Sequence, residues 1–267
     1  MVTLTPLNPA SPARLDRLDG RLRRRGTILS YSDFNTGTLE GWAPDHFGYA
    51  TPKGSAGLTR NVPYSGSHAM MISTPETAYG VAATYEGAAY KRNGWPGPVA
   101  PVSFSAMFAL AGDNDPNLDK RPWANFGLGV DTQYPDDSQR YFFRALYSSS
   151  SDAWLLRTSS SWATVPASAG KYWGMNEWKR NYFYVRLTVD PATGRYIELQ
   201  VMDQLFDLVG VADSPTDLLL TDTGSWDHFR GGLNAGVFLS RHATNPSTHN
   251  IMLVDEAFMS YNDRIAA

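Results

Sequence analysis

Tyr182-Phe183-Tyr184-Val185-Arg186-Leu187-Thr188-Val189, then Asp190-Pro191-Ala192-Thr193-Gly194, then Tyr196-Ile197-Glu198-Leu199-Gln200-Val201 reads as a β-hairpin. Proline presets the backbone at the second turn position, and glycine at the exit tolerates a left-handed conformation. Both arms are rich in β-branched and aromatic residues, which suit a pleated, half-buried surface. Working outward, the same pattern recurs in short runs separated by Gly, Pro, Asn and Asp clusters. Strands are expected near 28–34, 67–73, 81–90, 102–110, 124–132, 140–147, 153–158, 181–189, 195–203, 233–240 and 250–261. The stretch 204–230 reads as mostly loop with one helical turn. No amphipathic helices alternate with the strands, which argues against a parallel βαβ sheet, and no fixed-period repeat points to a propeller or solenoid. The expected fold class is all-β, a two-sheet antiparallel β-sandwich.

The composition supports one sizeable core. Of 267 residues, 42% are hydrophobic and 18% charged, with 8 Trp, 14 Tyr and 12 Phe. The absence of cysteine excludes disulfides, thiolate metal sites and a cysteine nucleophile. The first residues lack the cationic start and apolar run of a signal peptide, and no stretch matches a membrane span, so synthesis in the cytoplasm is expected.

Charge is unevenly placed. Residues 1–26 hold six Arg against Asp16 and Asp19, so this arm is +4, while the remainder, with 17 basic and 24 acidic residues, is −7. An acidic body argues against nucleic acid as a partner, because phosphate contacts need a basic surface. Ser11-Pro12 reads as N-cap and first residue of a short helix bearing Leu15, Leu18 and Leu22 on one stripe, followed by Arg23, Arg24 and Arg25. Residues 1–27 are therefore expected to be a basic arm that docks to a protein partner or mediates self-assembly, or else caps the sandwich of residues 28–267.

Ser32-Asp33-Phe34-Asn35-Thr36-Gly37-Thr38-Leu39-Glu40-Gly41-Trp42 resembles the first strand and turn of concanavalin A-like and laminin-G-like jelly rolls. Gly236-Val237-Phe238-Leu239-Ser240 and Asn250 to Phe258 are similar to the last two strands of such domains. The resemblance implies a jelly roll whose final strand pairs with its first. It also implies one of three roles: sugar-binding module, laminarinase-type glycosidase or 3-keto-glycoside hydrolase. The laminarinase phrase E-x-D-x-(x)-E is missing, and Asp255-Glu256, being adjacent on a strand, are expected to point to opposite faces.

Trp154, Trp162, Trp173 and Trp178 lie close together, interleaved with serines and Arg157. Indole faces stack on sugar rings while polar neighbours take the hydroxyls, so these residues are candidate glycan contacts. The alternative is core packing, which the alternation of Trp154 with Leu156 favours for that residue. Trp95, in the run Lys91 to Pro98, is expected in an exposed loop and is a further ligand candidate. Asp113, Asp115, Asn117 and Asp119 place oxygen ligands at alternate positions, which suits calcium, although the run is not an EF-hand; an Asp/Asn turn without metal is the other reading. The five His are scattered, and no nucleophile elbow, phosphate loop or dinucleotide fingerprint occurs. No catalytic residue is assigned.

The function expected from these features is a non-catalytic carbohydrate-binding or attachment domain with a glycan or cell-wall polysaccharide as partner. The overall plan resembles lectin-like minor tail or surface proteins of bacteriophages, which implies a virion surface location. A glycan-cleaving enzyme of the 3-keto-glycoside hydrolase type and a purely structural decoration protein are the alternatives.

Overall fold

The computed structural model describes residues 27–45, 55–60, 63–74, 87–93, 101–112, 124–133, 140–158, 161–169, 182–212, 232–241 and 250–261. Among them all regular structure is β. The strands are β1 (Thr27–Ser32), β2 (Trp42–Asp45), β3 (Ser55–Thr59), β4 (Ala69–Ser73), β5 (Gly87–Asn93), β6 (Val102–Gly112), β7 (Ala124–Gln133) and β8 (Arg140–Ser148). They continue with β9 (Ala153–Arg157), β10 (Trp162–Thr164), β11 (Phe183–Asp190), β12 (Arg195–Val201), β13 (Gln204–Asp207), β14 (Gly232–Arg241) and β15 (Asn250–Tyr261).

Two antiparallel sheets form a jelly-roll sandwich. The first has the order β13-β12-β11-β6-β15-β4-β3, with β1 also paired to β15; the second has the order β10-β9-β8-β7-β14-β5-β2. The final strand pairs with the first, Phe258 opposite Tyr31, as the resemblance implied. The run 32–42 carries the chain between sheets: β1 belongs to the first and β2 to the second, with Phe34 and Trp42 buried in the core between them. Gly37 and Gly41 make the crossing possible, with φ of 70° and 87° that other residues adopt only at a cost.

The hairpin closes as its sequence predicts. Asp190 accepts from Ala192 N at 2.9 Å and Thr193 Oγ1 at 2.8 Å, and Gly194 has φ 66°. Phe126 sits mid-core, with ring centroids 5.4 Å from Tyr147, 5.6 Å from Trp154 and 5.4 Å from Phe183, so it joins the two sheets.

Several expectations are corrected. Strands β2, β3 and β10 were not read from the sequence, because each is only three to five residues long. β13 lies in the stretch expected as loop; its Phe206 is buried while Leu205 is exposed, so it is an edge strand with one apolar face. Lys91 to Asn93, expected in an exposed loop, complete β5, where Lys91 Nζ donates to Ser32 Oγ at 2.7 Å. The basic arm, the Trp95 loop and the Asp113–Asp119 run lie outside the described residues.

Candidate glycan-binding face

Strand alternation sorts β7, β8 and β14 onto two faces. Phe126, Leu128 and Val130, with Phe143, Ala145 and Val237, enter the core. The intervening residues point away from it. Register aligns them in rows: Asp131 beside Asn234 and Phe142, then Gly129 beside Gly236 and Arg144. In that second row the β7 position is bare backbone for a steric reason. A Cβ on Gly129 would meet the Phe143 carbonyl oxygen at 2.5 Å and the Phe238 ring at 3.0 Å.

Polar groups are concentrated here. Asp131 and Asn234 are buried although they lie on the outward face, with Asn234 Nδ2 at 3.5 Å from Asp131 Oδ2. Asn234 Oδ1 meets no hydrogen-bond partner among the described residues. The Arg144 guanidinium lies 3.7 Å from the Phe142 ring centroid and 5.3 Å from that of Phe238, a cation–π arrangement that fixes its plane.

Toward the sheet edge, β9 and β10 add a second cation on a ring. The Arg157 guanidinium lies 5.5 Å from the Trp162 ring centroid, the two residues facing each other in the β9–β10 ladder, and both are half-exposed. Arg157 has no ion pair among the described residues. Beside it Thr158 and Ser161 close the turn: Ser161 N donates to Thr158 Oγ1 at 2.9 Å, and the two hydroxyls lie 3.0 Å apart. Trp162 and Arg157, both read from sequence as ligand candidates, are thus brought together.

Trp154 is not part of this surface. It is 0% exposed and packs edge-on against Phe126 and Tyr147, so its expectation as a glycan contact is corrected to a core role. Trp95, Trp173 and Trp178 lie outside the described residues. So do Asp113, Asp115, Asn117 and Asp119, and likewise Leu15, Leu18, Leu22, Arg23, Arg24 and Arg25. Among the described residues no group of three or more His, Asp or Glu is placed to hold a metal.

Sequence reasoning missed Phe142, Arg144, Asp131, Asn234 and Phe238. A signal was present in Asn125-Phe126-Gly127-Leu128-Gly129-Val130-Asp131, where the polar set alternates with the apolar one and includes two glycines. Glycine repeated on one face of a strand marks close approach of a neighbour.

The outward side of the first sheet carries two other buried polar groups. Arg186 on β11 pairs with Glu198 on β12, both buried. Asp255 on β15 accepts from Ser65 N at 3.0 Å and from Glu256 N at 2.8 Å, at a bulge where Glu256 has φ 45°. Burial pushes the Asp255 carboxyl up to about 7, against the lowering effect of these backbone donors. Burial likewise raises the Tyr182 phenol, with the Asp255 charge adding to it. Lys91 is lowered by burial, with Glu40 opposing.

No protein-family model matches the sequence, and no curated protein matches it either. Solved structures do match. A cellulose-induced protein, Cip1, superposes with TM-score 0.52 at 15% identity, covering 89% of this chain and 99% of that one. The likeness is one of fold. An endo-β-1,4-glucuronan lyase from Trichoderma reesei aligns at TM-score 0.48 and 13% identity over 88% of this chain and 96% of its own. The carbohydrate recognition domain of Emp47p aligns at TM-score 0.44 and 10% identity over 89% and 97%.

Proposed function

We propose that this chain is a non-catalytic carbohydrate-binding domain whose ligand lies across the outward face of the second sheet at β8, β9 and β10. One observation carries the reading: the half-exposed Trp162 indole, backed by the Arg157 guanidinium and flanked by the Thr158 and Ser161 hydroxyls. An indole offers an apolar face to sugar C–H groups, and a fixed cation beside it offers donors to ring oxygens and hydroxyls. Trp95, Trp173 and Trp178 are kept in this proposal as further ligand candidates, on residue type alone. The biological setting we favour is an attachment protein on a virion or other particle, docked through residues 1–27. The supporting feature is the contrast between a +4 arm and a −7 body.

A broad glycan array, including bacterial cell-wall polysaccharides, tests this with the full chain. Trp162→Ala is expected to weaken binding by about 1–2 kcal/mol, the size of other aromatic contacts, with melting unchanged. A wild-type protein that binds no glycan overturns the reading in favour of a structural decoration. Release of new reducing ends by the wild type overturns it in favour of a glycan-cleaving enzyme.

A further inference from the structure

Strand β15 has β6 along one edge and two strands in succession along the other: β4 as far as Val254, opposite Met70, and β1 from Ala257, opposite Ser32. Asp255 and Glu256 fall at the junction. There the register against β6 shifts, between Asp255 and Phe258, and Glu256 has φ 45°, a left-handed conformation that costs any residue with a Cβ. The bend 64–67 comes in at this junction, and the Asp255 side chain holds it. One carboxyl oxygen accepts from Ser65 N at 3.0 Å and the other from Glu256 N at 2.8 Å. A single carboxyl thus joins strand and bend across 190 residues of sequence. The joint reaches further, because Ser67 N donates to Asn35 Oδ1 at 2.6 Å and Asn35 belongs to the run 32–42 that crosses between the sheets.

Asp255 is fully buried. Among the described residues the titratable groups around it bring no positive charge. Glu256, on its own strand, adds a like charge. The chain entering β11 brings the Tyr182 phenol, its ring edge-on to Tyr64 at 5.4 Å, and β11 adds Tyr184 opposite Met107, the β6 partner of Asp255. β4 and β1 meet the junction at Met70 and Ser32, which do not titrate. A carboxylate here is opposed by burial and by Glu256 and favoured by the Ser65, Glu256 and Tyr64 N–H groups, and burial dominates. The neutral acid is the form that fits the closed joint, whereas a carboxylate gains by reaching water.

We propose that Asp255 is a pH-sensitive latch: as a neutral acid it holds the bend 64–67 on β15, and on losing its proton it lets the bend open and, through Asn35, loosens the crossing between the sheets. The latch lies on the first sheet and does not depend on the carbohydrate reading. Its pH window follows from linkage. The closed joint holds its proton up to about pH 7, and an opened, solvated carboxyl loses it near the ordinary 3.8, so raising the pH between these values favours opening.

The test is amide hydrogen exchange of the full wild-type chain by NMR from about pH 4 to 8, each rate divided by the intrinsic rate at that pH, beside a carbon-13 titration of the Asp255 carboxyl. The Ser65, Ser67 and Glu256 amides are expected to open together. Their opening constant should rise by up to about tenfold per pH unit and level off near pH 7, where the carboxyl titrates. Their protection should stay about tenfold or more below that of the β11–β12 hairpin, which marks a local opening. Asp255→Asn keeps an acceptor without the titration and should make the opening independent of pH. A carboxyl titrating near 4, an opening constant that is flat in the wild type, or exchange no faster than that of the hairpin overturns the latch. So does an asparagine variant that keeps the wild-type slope. If that variant does not fold, the wild-type titration and exchange decide.

Discussion

The outward faces of the two sheets handle arginine in opposite ways. On the first sheet Arg186 is buried against Glu198, and the charges compensate each other. On the second, Arg157 rests on Trp162 and Arg144 on Phe142 and Phe238, ring faces that orient the guanidinium planes. A buried pair is a constraint on folding, because removing one member leaves an uncompensated charge out of water. Arg157, half-exposed on its ring, costs the fold little and remains able to meet an anion. The first face therefore carries structure, and the second is where the proposed recognition lies.

The largest expected effects break the structural side. Glu198→Ala strands the Arg186 charge and should cost about 3–5 kcal/mol in denaturant unfolding. Trp154→Ala empties the site between Phe126 and Tyr147 and should cost a similar ~3–5 kcal/mol, whereas Trp162→Ala, eight residues on and half-exposed, should leave unfolding within roughly 0.5 kcal/mol of wild type. A Trp162→Ala protein that unfolds like Trp154→Ala would remove the distinction between the two tryptophans.

Asp255 sharpens the contrast through pH. Its folded pKa of about 7 lies above the ordinary 3.8, so between these values the folded state binds a proton that the unfolded state has lost. Its stabilising contribution is complete below about pH 4, falls as pH rises, and is gone once pH has passed about 7. At about 1.4 kcal/mol per pKa unit the change is at most about 4 kcal/mol. Asp255→Asn should flatten this part of the stability profile between pH 4 and 7; an unchanged slope would place the titrating group elsewhere. The smallest expected effect is that of deleting residues 1–26: melting of the remaining chain should stay nearly unchanged while assembly with a partner is lost, and unfolding of the truncated chain would make the arm a cap of the sandwich.

Much of the fold was legible because its signals are local. Alternation and turn chemistry name eleven strands, and the hairpin at 182–201 forms as its Asp-Pro and Gly predict. The phrase ending in Trp42 marked the first strand and its turn; that this turn crosses between the sheets is seen only in the structure. Strands β2, β3, β10 and β13 were not legible, since three to five residues carry too few alternations to stand out. The candidate face was legible only in part: Arg157 and Trp162 were chosen for their residue types, but Trp154 was chosen for the same reason and lies in the core.

The sequence by itself determined the all-β class and the hairpin, because period, turn residues and β-propensity act over a few positions; the pairing of the last strand with the first was implied by the jelly-roll resemblance. Only the tertiary structure decided where Tyr196 points. Simple alternation with Leu199 and Val201 would bring Ile197 inward and leave Tyr196 outside. A register shift between Thr188 and Val189 instead sets Tyr196 opposite Val189, burying it and leaving Ile197 partly exposed. That bulge places the phenol across the core, where its hydroxyl finds the backbones of Arg144 and Arg157. A single extra residue in a strand reverses the faces beyond it, and what makes the reversal favourable is a partner in the other sheet, which no local pattern in β12 encodes.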